Sequence, residues 1–174
     1  REALNILETL IMYYPKKQYW VQASHLYGEE KDEARQLALL EATYEQNLLD
    51  RSQDIVLISQ LYLQAEVPYP AARAMEKGLA DDVVEKESKN YELAGVAWRQ
   101  AQEVTKSLPM LEAAASKSEK GELYARLGNV YLDVDKNKEA VEALNRGLDR
   151  GGVKRPDQAR LALGMAHFNL GDFN

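Results

Sequence analysis

The sequence predicts an all-α architecture of stacked antiparallel helix pairs, and three observations carry that prediction. Over Gly121 to Arg150, Tyr124, Leu127 and Tyr131 fall on one helical face and Ala140, Leu144 and Leu148 on another, with the offsets of three and four that mark amphipathic helices. A short polar break, Asp133 to Asn137, separates the two faces. The same order of large, small and aromatic positions then returns along the chain, with starts at 52, 88, 121 and 157. A helix pair cannot bury its apolar face alone, so a pair that recurs at this spacing buries it against its neighbours.

Taken in order, Ala3, Leu7, Leu10 and Ile11, followed by Pro15, have the spacing of the second helix of a pair and its helix-ending proline, which assigns 1–16 to half a repeat. In 17–51, Trp20, Ala23, Ser24 and Tyr27 form a first helix; Ala34, Leu37, Ala38 and Tyr44 form a second, across a turn at Gly28 to Asp32. In 52–87 the corresponding positions are Ile55, Ile58, Ser59, Tyr62, Ala71, Met75, Gly78 and Leu79, with Pro68 and Pro70 expected to bracket the turn. In 88–120 they are Tyr91, Ala94, Gly95, Trp98, Ser107, Leu111, Ala114 and Ala115. There Ser107 replaces an alanine, and Pro109 is expected to delay or kink its helix. The repeat at 121–156 ends at Gly151-Gly152, suited to the left-handed conformation that closes a helix, and Pro156 opens the next. Leu163, Gly164, His167 and Leu170 to Phe173 then begin a further copy over 157–174. The expectation is one continuous array over 1–174, a fragment of a longer chain or one whose ends meet another copy.

The series in 121–156, a large residue, then Leu-Gly, Tyr, Ala, a large apolar residue and a small one, resembles the tetratricopeptide repeat (TPR). That resemblance implies a right-handed superhelical solenoid with four full repeats and a half repeat at each end, and a role in binding. In such an array small residues at Gly128, Gly95 and Ser59 let helices approach closely, while Tyr131, Trp98, Tyr62 and Tyr27 fill the gaps as core. It also implies a concave groove lined by positions 2, 5, 9 and 12 of each first helix. Position 2 gives Gln18 and its equivalents, position 5 gives Val21 and Val56, and position 9 gives His25, Gln60, Val96 and Asn129. Position 12 gives Leu63, Arg99 and Leu132. The candidate partner-binding residues are therefore His25, Val56, Gln60, Leu63, Val96, Arg99, Asn129 and Leu132, whose amides pair with a peptide main chain while the apolar residues take its anchors. The carboxylate clamp by which TPR domains hold chaperone C-termini needs Lys and Asn at positions 5 and 9 with Lys and Arg in a later repeat. Only Asn129 fits, so no chaperone-tail binding is expected.

Composition narrows the function classes. A net charge of −6 and a pI near 5.1, with no basic stripe, argue against nucleic acid or anionic membrane as partner. No apolar run is long enough for a membrane span, and the absence of cysteine removes disulfides and thiolate chemistry. His25 and His167 are the only histidines, and His167 takes the place of the core tyrosine Tyr131. No Ser/His/Asp set or HExxH helix occurs. Asp133 to Asn137 opens like a calcium loop, but Lys138 and Leu144 stand where glycine and glutamate are required. The expectation is no catalytic residue, no metal and no cofactor, with a protein or peptide as partner.

Three segments are more particular than the general repeat: Tyr13-Tyr14-Pro15-Lys16-Lys17-Gln18-Tyr19-Trp20, Pro68-Tyr69-Pro70-Ala71-Ala72, and Gly147 to Pro156 ending Gly-Gly-Val-Lys-Arg-Pro. Together they resemble the exported TPR proteins encoded beside TonB, ExbB and ExbD energy-transduction components in gammaproteobacteria. The resemblance implies a periplasmic adaptor supporting energy-dependent uptake; residue types alone leave the cytoplasm equally open. Two rival readings use the same residues, a structural protein that self-associates through its repeat ends and an accessory segment of a larger enzyme.

Overall fold

The computed structural model describes residues 2–172. Among the described residues there are ten α-helices and no strand: α1 (Glu2–Tyr13), α2 (Lys17–Glu29), α3 (Glu33–Glu45), α4 (Ser52–Gln64), α5 (Pro68–Ala80), α6 (Ser88–Gln100), α7 (Val104–Lys117), α8 (Glu122–Leu132), α9 (Asn137–Arg150) and α10 (Pro156–Leu170). They fall into two compact units, Arg1–Glu85 with α1 to α5 and Lys86–Asn174 with α6 to α10. Within the first unit, α2 packs on α3 and α4 on α5, while α1 and α3 each cover the helix that follows. Within the second, α6 packs on α7, α8 on α9 and α9 on α10, and α8 also touches α10.

One turn is reused throughout. Lys31, Glu66, Gln102 and Asp135 have φ of 60°, 59°, 62° and 59°, and Gly171 has 75°. The next residue in each case donates its N–H to a carbonyl five positions back: Asp32 to Tyr27, Val67 to Tyr62, Glu103 to Trp98 and Lys136 to Tyr131 at 2.9 Å, and Asp172 to His167 at 3.0 Å. This is the Schellman closure, which satisfies carbonyls that a helix end leaves without partners. Four of these five turn residues carry a Cβ, and the left-handed conformation costs an L-residue roughly 1–2 kcal/mol. The recurrent closure and the helices it connects hold them there.

The prolines sit differently from the sequence expectation. Pro68 and Pro70 do not bracket the turn; both lie in the first turn of α5, where N–H groups have no helical acceptor and proline removes nothing. Nor does Pro109 delay its helix, since α7 begins at Val104 and runs through it. Proline there deprives the Thr105 carbonyl of its donor, but Thr105 and Pro109 are both exposed to water. Buried Ser107 and Leu108 on one side and Ala114 and Ala115 on the other hold the helix down. Gly28 likewise belongs to α2 rather than to the turn after it. Gly151 and Gly152 have φ of 73° and 70°; Gly151 has ψ −177°, a region open only to glycine, and α10 starts at Pro156.

Small residues set the helix approach. A Cβ on Gly95 would come within 2.6 Å of Leu111, and one on Gly128 within 2.5 Å of Leu144. Ser59 folds its hydroxyl back onto the Ile55 carbonyl at 2.8 Å, and Ser107 donates to the Gly95 carbonyl at 2.9 Å, so both are buried with a partner. Tyr27, Tyr62, Trp98 and Tyr131 are buried. The three tyrosines each donate to a glutamate on the preceding second helix: Tyr27 to Glu8, Tyr62 to Glu41 at 2.9 Å, and Tyr131 to Glu112. His167 departs from this series. It is half-exposed, with Nδ1 3.1 Å from Asp172 Oδ2, because its short ring turns to the turn carboxylate instead of entering the core. Leu163 is partly buried against Ala125, Leu144, Ala159 and Ala162, whereas Phe168 is exposed; Phe173 lies outside the described residues.

Candidate binding groove

The first unit holds an apolar hollow of about 600 Å³ between α1, α2 and the start of α4. α1 supplies Ala3, Ile6 and Leu7, α2 supplies Val21, Gln22, His25 and Leu26, and Arg51 closes one side. The helical period explains the set: Val21 and His25 stand one turn apart on α2, and Ala3 and Leu7 one turn apart on α1. Leu7 and Val21 also belong to the buried core, whereas Ile6 stays 61% exposed. A second hollow of about 360 Å³ adjoins the first, shares Val21, Gln22 and Arg51, and adds Lys17 and Gln18.

Arg51 precedes α4 in extended backbone and reaches one turn along it. Its Nε donates to Asp54 Oδ2 at 2.8 Å and its Nη2 to Asp54 Oδ1 at 3.0 Å. Asp54 is 1% exposed, and its position in the first turn of α4 suits a negative charge. The carboxylate it presents raises the Arg51 guanidinium above its ordinary range, by hydrogen bonding first and charge second. His25 Nε2 lies 3.7 Å from Asp54 Oδ1, close enough for an ion pair when the ring is protonated. Lys17 pairs with Asp50 and holds that carboxyl below the usual range.

The eight residues singled out from the sequence lie four in each unit. His25 lines the hollow. Val56 and Leu63 are half-buried along α4 and Gln60 is exposed there, all outside that lining. In the second unit Val96 is half-buried, Arg99 is engaged by Asp133 at 2.7 Å, and Asn129 donates to the Ala125 carbonyl at 3.0 Å. Leu132 packs against two apolar clusters. Nearby, Arg126 bridges Glu92 at 2.8 Å and Glu122 at 3.2 Å. Glu122 also accepts the Lys154 N–H at 2.8 Å, which together with Arg126 holds its carboxyl below the usual range. The sequence reading missed Ile6, Leu7, Gln22, Arg51 and Asp54. Only the i, i+3 spacing of Arg51 and Asp54 at a helix start was a signal for any of them.

Among the described residues no group of three His, Cys, Asp or Glu is arranged to hold a metal ion, and no helix is long and apolar enough to cross a membrane. The arrangement is suited to non-covalent recognition, an apolar wall beside a fixed guanidinium and two amides.

No family model and no curated protein matches the chain. Solved structures do. YrrB, a TPR protein with an unusual peptide-binding site, is 14% identical with a TM-score of 0.71, over 97% of this chain and 85% of its own. A MamA protein is 16% identical with a TM-score of 0.69, over 90% of this chain and 83% of its own, and a second, MamA AMB-1, is 18% identical with the same TM-score and coverage. At these identities the likeness is one of fold, and the fold is TPR-like.

Proposed function

We infer that the chain is a non-enzymatic protein-interaction scaffold that takes a peptide segment of its partner on the first helices of its pairs. One observation carries this reading: the first helices of the pairs leave polar side chains outside the buried core, His25 on α2 and Gln60 on α4 among them. The fold it shares with YrrB, whose description includes a peptide-binding site, supports the same direction. The particular segments around Tyr13, Pro68 and Gly147 support a finer assignment, a periplasmic accessory of TonB-dependent energy transduction and transport. The test is site-specific photo-crosslinking in the native cell from Gln22, from Gln60 and, as a control, from the exposed Arg146 of α9. Capture of one partner from Gln22 or Gln60 but not from Arg146 is expected. Capture from Arg146 alone would overturn the reading, and a partner outside TonB-dependent transport would overturn its finer part.

Self-association has its own observation. On α10, Leu161, Met165 and Phe168 are 67%, 54% and 69% exposed in one row. If that row joins copies, light scattering across a concentration series shows a rising mass that Met165→Glu abolishes; a constant monomer mass dismisses it.

A further inference from the structure

We draw no further inference here: the strongest candidate, the hollow of about 320 Å³ between α7, α8 and α9 where Glu112, Glu139 and Glu142 surround Tyr131, is an acidic cluster for which nothing among the described residues points to a ligand.

Discussion

The two units build the same helix pairs and spend their polar side chains differently. In the second, Arg99 is tied to Asp133 and Arg126 to Glu92 and Glu122, so the charged positions of its first helices bind one another. In the first, the main polar device is a buried carboxylate gripping one guanidinium beside an apolar hollow. Backbones also come closer in the second unit: a Cβ on Gly121 would lie 1.8 Å from the Gly147 carbonyl oxygen. The difference teaches that a repeat's stacking positions fix its fold, whereas its free positions either knit helices together or stay available to a partner. In the second unit they knit.

The comparison breaks most sharply at Gly121. Gly121→Ala forces backbone apart at Gly147, with an expected loss of at least about 3 kcal/mol. Hydrogen exchange resolved by helix should show lost protection in α8 and α9 while α2 to α5 keep theirs. Protection lost equally throughout would mean that the units do not respond separately. Next comes Asp54→Ala, which removes two charge-assisted bonds from a buried site and should destabilise the first unit by about 2 kcal/mol in denaturant titration. An effect below half of that would show the Arg51 grip to be incidental.

The tyrosine-to-glutamate bonds occur in both units and test what they share. Tyr62→Phe and Tyr131→Phe should each cost about 1 kcal/mol. Both phenols are pushed above their ordinary value of 10.0, by burial first and by the glutamate they donate to second. The native state therefore keeps a proton that the unfolded chain gives up. This contribution is fully present below pH 10.0 and is lost as the pH rises beyond it. Denaturation midpoints measured on both sides of that pH should fall less steeply in either Phe variant than in the parent chain.

Smaller effects come from the turns and the surface. Glu66→Gly and Gln102→Gly relieve a left-handed Cβ, one in each unit, and should stabilise by about 0.5 kcal/mol after the entropy of glycine is subtracted. Equal gains would show the turns to be interchangeable. Arg99→Ala should change stability by less than about 0.5 kcal/mol, since its ion pair is exposed. A larger loss would show that the knitting in the second unit is structural.

By itself the sequence determined the helix pairs, the small residues at Ser59, Gly95 and Gly128, and the aromatic series Tyr27, Tyr62, Trp98 and Tyr131. Each of these is a matter of helical period and side-chain size, and a repeated pattern displays both. It placed Pro68 and Pro70 wrongly, and expected Pro109 to delay a helix that begins ahead of it, because proline's effect depends on how far it sits from a helix start, and the starts themselves depend on turns made by residues as unremarkable as Glu66 and Gln102. For the candidate site it offered His25 and passed over Arg51. Only the tertiary structure decided that Arg99 and Asn129 are engaged while the far edge of Arg51 is not. A side chain's free hydrogen bonds depend on residues brought near it by packing: Asp133 lies a full repeat from Arg99, and α1 lies across the hollow from Arg51.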